Sequence, residues 1–304
     1  MTGVVFLLAP RLHLLDLAGP AQVFSSAADF GHGYRIRYVA EHEDVPTAQG
    51  LDIRATTTWP TLAPGDLVVV PGWRSPSLPH HPVFTRETLD RLVAHHAAGG
   101  TVTSVCSGAD ALGRAGLLDG RRCTTHHDLQ DELARRYPRA VVVPDVLYVE
   151  DGRVLTSAGI ASGIDLALHL LAVRHGPYVA AQVARTMVVH TRRNGDEQQT
   201  SAMLRHRAHL SDAVHRVQDV IDARFADPLL LAGLAAGAGV SERTLTRRFA
   251  EATGLTPLRY QQQLRLEHAQ HLIAQGTTVE SAARRVGFQD ARMLRRLRAR
   301  PAEG

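Results

Sequence analysis

Along the first half of the chain, short apolar and β-branched runs alternate with longer stretches whose apolar positions recur every three or four residues. VVFLLA (4–9), YRIRYVAE (34–41), DLVVVPG (66–72) and TVTSVC (101–106) read as strands, and Arg86 to Ala98 and Leu129 to Tyr137 as amphipathic helices. Strands that are apolar throughout, separated by helices, predict a parallel sheet covered on both faces. Ligands of such sheets sit at the carboxyl ends of the strands, where Cys106 and the Pro71-Gly72 turn both fall.

The pattern changes near Thr191. TRRNGDEQQTSAMLRHRAH is polar and lacks strand signal, so residues 191–209 are expected to link an α/β domain (1–190) to an all-helical domain (210–304). Inside the helical part Ala235, Gly239 and Leu245 follow the spacing A-x3-G-x5-L, and Ala283, Gly287 and Met293 repeat it 48 residues later. A small residue lets two helices approach, glycine turns the chain at positive φ, and an apolar residue anchors the second helix, which is a helix-turn-helix plan used twice. In the first copy Ser241 is the expected N-cap, Leu245 and Phe249 face inward, and Arg243, Thr246 and Arg247 face outward. Arg292, Arg295 and Arg296 are the outward candidates of the second, and a long helix from about Pro257 to Gln275 is expected between the units.

Composition adds three constraints. At 304 residues the chain exceeds what one core usually serves, and it shows no apolar run of membrane length and no secretory signal, so a soluble cytoplasmic protein is expected. Two cysteines, Cys106 and Cys123, cannot build a disulfide framework or a paired-cysteine metal site, so reduced thiols, no metal and no cofactor are expected. All basic residues are arginine; residues 1–190 hold 16 of them against 18 acidic residues, whereas residues 191–304 hold 18 against 12. The second half therefore carries about +6, a charge suited to nucleic acid.

TVTSVCSGADALGR (101–114) runs from a β-branched strand through a tight turn into a helix. A residue at such a turn is expected to be exposed and held in strained backbone geometry, as in a nucleophile elbow. The following helix N-terminus favours thiolate, so the pKa of Cys106 is expected to fall. Cys123, in the strand-like RRCTT, has no such surroundings and reads as core.

The lines S-x-R-x-L-x-R-R-F, G-x-T-P-x-x-Y, R-x-x-x-A-x-x-L-I and V-G-F-x-D, spanning Leu210 to about Arg300, resemble the AraC family DNA-binding domain. The resemblance implies two recognition helices entering successive major-groove segments of double-stranded DNA. Arg298 stands where that family usually has an anchoring aromatic, and the chain ends at Gly304 without the family's closing G-x-x-P-x-x-Y, which makes the second reader short.

SVCSGADALGRAGLLDGRRCTTHH, LLDLAGPAQVF and TSAGIASGIDLALHL resemble the ThiJ/PfpI family over about Gly3 to Val189. That resemblance implies a flavodoxin-like α/β sandwich, of the class I glutamine amidotransferase-like type, with a cysteine at the elbow. It also implies that Asp16 hydrogen-bonds the thiol, with a raised pKa that suits it to donate a proton; the alternative is that Asp16 caps its helix. Gly72 would offer a backbone N–H as oxyanion donor, and Trp73, where many relatives have glycine, would narrow the pocket. Ser107 stands where protease-like relatives place a histidine base, so no Cys-His dyad is expected. His126 and His127 would approach from the next strand, as ligand contacts or as structural residues.

A ThiJ/PfpI domain followed by an AraC domain is the arrangement of GlxA-like transcriptional regulators. The expectation is a DNA-binding regulator, homodimeric and off the membrane, whose N-terminal domain senses a small-molecule effector at Asp16, Gly72, Trp73, Cys106, Ser107 and His126. The alternatives are a cysteine enzyme resembling isonitrile hydratases, with Cys106 and Asp16 catalytic, and a thiol-based redox or electrophile sensor.

Overall fold

The computed structural model describes residues 2–189, 193–196, 199, 206, 207, 209–274 and 277–298. Most of the expected linker, the side chain of Arg298 and the last six residues lie outside the described residues. The chain forms two compact units, Met1–Gln199 and Thr200–Gly304.

The first unit contains strands β1 (Gly3–Leu8), β2 (Arg35–Ala40), β3 (Asp44–Val45), β4 (Ile53–Arg54), β5 (Leu67–Val70), β6 (Thr101–Val105), β7 (Arg122–Cys123), β8 (Val141–Val142), β9 (Tyr148–Asp151) and β10 (Val154–Ser157). Its helices are α1 (Leu14–Ser26), α2 (Arg86–Ala97), α3 (Ala109–Arg114), α4 (Gln130–Arg136), α5 (Ser162–His175) and α6 (Pro177–Thr186). Six strands join in the order β2-β1-β5-β6-β10-β9. The first five are parallel, as the apolar runs predict, and β9 closes one edge antiparallel to β10. The sequence reading gave no strand to residues 148–157; the hairpin turns on Gly152 at φ 62°.

Two apolar layers sandwich this sheet. Phe6, Leu8, Leu17, Phe24, Leu166 and Leu171 fill the side covered by α1, α5 and α6. Val5, Leu7, Trp73, Leu92, Leu112 and Leu133 fill the side covered by α2, α3 and α4. Alternate residues of β1 point into opposite layers, as the two-residue period of a strand requires.

Six helices make up the described part of the second unit: α7 (Asp212–Ala223), α8 (Leu231–Gly237), α9 (Glu242–Thr253), α10 (Pro257–Ala274), α11 (Val279–Arg285) and α12 (Ala291–Arg298). One core joins Val214, Ile221, Leu245, Phe249 and Tyr260, and a second joins Ala269, Ala282, Ala283, Val286 and Leu294. Half-buried Phe225 packs against both.

The internal repeat is present with one correction. Gly239 (φ 69°) and Gly287 (φ 84°) make the expected left-handed turns. Ser241 caps α9 by accepting from Thr244 N at 3.2 Å. In the second copy the capping oxygen belongs to Asp290, which accepts from Arg292 N at 2.8 Å. The second turn is therefore one residue longer, and equivalent helix positions are 49 residues apart rather than 48. Leu294, fully buried, takes the place of Leu245, and Met293 is only half-buried.

Candidate functional site

Cys106 follows the last residue of β6 and opens a single 3-10 turn (Cys106–Gly108) ahead of α3, with φ at 55°. A non-glycine residue rarely holds that conformation, and here the backbone on either side packs closely around it. Two glycines press on it: a Cβ on Gly72 would lie 2.7 Å from the Cys106 Cβ, and one on Gly159 would lie 2.4 Å from it. The elbow predicted from the sequence is present, but the thiol is buried, at 6% exposure, where an exposed side chain was expected.

Asp16 reaches this elbow through a backbone pairing between two strand exits. His13 N donates to Gly72 O at 2.9 Å and Arg74 N to Arg11 O at 2.9 Å, so the first turn of α1 stands over Gly72. Asp16 has 0% exposure, and a Cβ on Gly72 would fall 2.6 Å from its Oδ2. It does not cap α1, because the cap position is His13. The Gly72 amide and the Cys106 thiol approach the carboxyl without closing a hydrogen bond of good geometry.

Burial without full hydrogen bonding penalises charge at both groups. It raises the Asp16 carboxyl to about 7, against smaller opposing contributions from Gly72 and Cys106. Burial, with the Asp16 charge adding to it, raises the Cys106 thiol to about 12. The expected thiolate is thus overturned. The Ser107 donors do favour the charged form, but desolvation and the carboxylate outweigh them, and α3 is only six residues long. Cys123 is buried in the opposite layer, its thiol raised to about 11 by burial.

The remaining sequence candidates have distinct positions. The Ser107 hydroxyl is engaged by the Trp73 backbone, accepting from N at 2.8 Å and donating to O at 2.9 Å. The Trp73 ring packs edge-on against Phe84 in the layer opposite the thiol, with ring centres 6.2 Å apart, so its contribution at the elbow is backbone. His126 caps the short helix His127–Leu129, and burial lowers its pKa. Thr125 joins that turn to the elbow, its hydroxyl donating to Cys106 O at 2.8 Å.

In the second unit Arg243 and Arg247 are exposed on α9 and Thr246 is half-buried, while Leu245 and Phe249 are buried beneath them. The register of 49 places Arg292, Arg295 and Arg296 at the equivalent positions of α12, all exposed. Arg247 pairs with Glu251 at 2.8 Å and Arg295 with Glu280, which holds these side chains without removing them from solvent. Arg243 makes no ion pair among the described residues.

Sequence reasoning missed Gly159, Thr125 and Arg265. Arg265 on α10 donates to Phe225 O (2.6 Å), Asp227 O (2.7 Å), Gly287 O (2.9 Å) and Ala226 O (3.2 Å). It ties the loop after α7 to the turn of the second helix-turn-helix, where a Cβ on Gly287 would lie 1.9 Å from Ala226 O. Its place in the R-x-x-x-A-x-x-L-I line was visible, but its partners are backbone carbonyls, which leave no mark in side-chain pattern.

Residues 2–173 match the DJ-1/PfpI family, and residues 234–300 match a helix-turn-helix domain. The chain is 38% identical over 170 residues to an isonitrile hydratase of Pseudomonas putida, a match covering 54% of this chain and 68% of that one. It is 29% identical over 276 residues to the HTH-type transcriptional regulator CdhR of Pseudomonas aeruginosa, covering 89% of this chain and 80% of that protein. Its fold is similar to that of an AraC family transcriptional regulator from Pseudomonas putida, with a TM-score of 0.53 and 24% identity over 62% of this chain and 100% of that one. With an elbow thiol on a flavodoxin-like sandwich and two capped helix-turn-helix units C-terminal to it in sequence, the chain belongs to the DJ-1/PfpI family and is a transcriptional regulator of the helix-turn-helix type.

Proposed function

We propose that the protein binds specific sites in double-stranded DNA as a cytoplasmic homodimer and that a small-molecule effector held at the elbow changes its affinity for them. The observation that carries the DNA reading is the register of 49, which sets Arg243, Thr246 and Arg247 of α9 level with Arg292, Arg295 and Arg296 of α12, each set above a buried leucine. Exposed arginines on a helix after a tight turn reach base edges and phosphates in a major groove. Ser241 and Asp290 cap the two helices, so each helix start is fixed by the chain itself.

The effector reading rests on the neutral chemistry at Asp16 and Cys106. A buried carboxyl that titrates near 7 and lacks good hydrogen bonds, beside a protonated thiol, is suited to a ligand that supplies the missing donor. Gly72 and Ser107 offer backbone N–H groups beside it, and His126 stands at the next turn. No described helix is long and apolar enough to cross a membrane.

A second reading, a cysteine enzyme acting on isonitriles, is favoured by the Asp16–Cys106 juxtaposition and by the likeness to an isonitrile hydratase. Against it stands the thiol, which would have to ionise from about 12. A rapidly reacting redox sensor meets the same obstacle.

Selection of binding sites from random duplexes with the full-length chain tests the first reading. Enrichment of a two-part motif at physiological salt is expected, and recovery of random sequence alone overturns it. Turnover of isonitriles by the full chain, lost in Cys106→Ser, would instead establish the enzyme.

A further inference from the structure

Beside the elbow, the chain passes from β7 through Thr124 and Thr125 into the turn His126-His127-Asp128. The Thr125 bond to Cys106 O anchors one side of this turn, and the short helix His127–Leu129 leading into α4 anchors the other. Three electron-rich atoms meet there. His126 Nδ1 lies 3.3 Å from His127 Nδ1 and 3.5 Å from Asp128 Oδ2, and the three residues each place a ligand atom within 4.8 Å of the others.

A four-coordinate zinc ion, with bonds of about 2.0–2.1 Å to imidazole nitrogen and carboxylate oxygen, sets neighbouring ligand atoms about 3.3 Å apart. The two separations from His126 Nδ1 are those of adjacent ligands on one such ion, and His127 Nε2 lies 3.8 Å from Asp128 Oδ1. The hydrogen bonds inside the turn are long: Asp128 N–H donates to His126 Nδ1 at 3.4 Å and the two imidazoles share one contact at 3.3 Å, so an ion on His126 Nδ1 would replace weak bonds. At 3.3 Å the two imidazole nitrogens need either a shared proton or a cation between them, and a divalent ion can take the proton's place. The side chains are 28%, 40% and 74% exposed in chain order, which lets an ion enter and leaves its other positions open.

We propose that His126, His127 and Asp128 form a binding site for a divalent transition metal of the zinc type, in the turn that follows the Cys106 elbow's partner Thr125. Two imidazoles suit zinc, cobalt or nickel, whereas magnesium and calcium take oxygen ligands almost exclusively. The sequence expectation of no metal rested on cysteine spacing, which is blind to adjacent histidines followed by a carboxylate. The site requires only the fold of the first unit and does not rest on the DNA reading; it shares His126 with the effector reading, and metal binding itself is measured without an effector. Because Thr125 bonds the elbow carbonyl, an ion on the next residues stiffens the backbone that carries Cys106.

Titration of the metal-free full-length chain with Co2+, read by visible absorption, and with Zn2+, read by calorimetry, tests the site. His126 also caps the short helix, so the test variant is His127→Ala, with Asp128→Asn beside it. His80 and His81, another exposed adjacent pair, serve as the control in a His80→Ala/His81→Ala chain. The expected result is one equivalent with the visible bands of low-coordinate cobalt, weakened at least about tenfold in His127→Ala and Asp128→Asn and unchanged in the control. Equal binding by the wild-type and His127→Ala chains, or loss of binding in the control, overturns it. Thermal unfolding of each metal-free variant at the wild-type temperature separates loss of ligand from loss of fold.

Discussion

The carboxyl group of Asp16 and the thiol of Cys106 face one another across Gly72, close enough that a single methyl group on the glycine would meet both. Burial disfavours the charged form of both groups, so each resists ionisation, and the ionised carboxyl further opposes the thiolate. Four of the five predictions below follow from contacts of this kind, made between segments distant in sequence.

Stability should fall as pH rises through the range in which Asp16 titrates. Its folded-state pKa of about 7 lies above the ordinary aspartate value of 3.8, so the folded form holds the proton more tightly than the unfolded chain does. The associated stability is full below about pH 4 and is lost progressively as pH approaches and passes 7, an effect of about 4 kcal/mol at most. Denaturant unfolding of the full chain at pH 5 and pH 8 measures it. Asp16→Asn should remove this part of the pH dependence, and an identical pH slope in both chains would refute the assignment.

Cys106 should alkylate slowly. With the thiol at about 12, its thiolate fraction at pH 7.5 is smaller than that of a free cysteine by on the order of a thousandfold. Mass spectrometry of the chain treated with iodoacetamide reads the rate directly. Asp16→Asn should speed labelling above pH 7, where the native carboxylate would otherwise be charged. Labelling of wild-type Cys106 at the rate of a free thiol would contradict the burial described here.

Gly72→Ala should destabilise the first unit by about 1–3 kcal/mol, because the new Cβ would sit 2.6 Å from Asp16 Oδ2 and 3.0 Å from Ser107 N. Thermal unfolding is the measurement. Gly65→Ala, where a Cβ meets nothing within 4 Å, is the matched control and should have little effect.

On a selected operator, Arg243→Ala and Arg292→Ala should each cost about 1–3 kcal/mol and relax preference at different base positions. Their positions are equivalent on the two helices, so the affected bases should fall in different halves of the motif. Gel-shift titrations against single-base variants distinguish this from a uniform loss, which would mark the two arginines as phosphate contacts.

Arg265→Met should weaken binding to the full two-part motif, although Arg265 faces neither recognition surface. It removes the four donors that hold the loop Phe225–Asp227 to Gly287. Phe225 O and Asp227 O keep the Gln261 Nε2 donor, whereas Ala226 O and Gly287 O lose theirs, at a cost of about 1–3 kcal/mol each where no water replaces it. Arg265→Lys, with one ammonium in place of a fork, should restore only part of the affinity. Unchanged affinity in Arg265→Met would show that the two helix-turn-helix units keep their geometry without this clamp.

Much of the candidate site was legible before folding. The elbow at Cys106 follows from a β-branched run meeting Ser-Gly-Ala, and Asp16 and Gly72 stand at the ends of the strands that precede it. What could not be read was the company of the thiol. Gly159 arrives after β10 and Asp16 from the start of α1, and the desolvation they impose reverses the pKa that the helix N-terminus alone suggests. The Trp73 ring belongs to the opposite layer, because the chain pairs Leu12 with Trp73 and turns the indole onto Phe84.

The order of strands and helices, the two glycine turns and the inward leucines are encoded locally, since periodicity, capping and positive φ each depend on a few neighbouring residues. Even the one-residue difference between the repeats lies in a local choice, Asp290 rather than Gln289 as cap. Protonation at Cys106, the bonding of the Ser107 hydroxyl to the Trp73 backbone, and the Arg265 clamp were decided by tertiary structure alone. Burial and electrostatics depend on which distant segments exclude water from a group, and that is settled only when the sheet and its loops close around it.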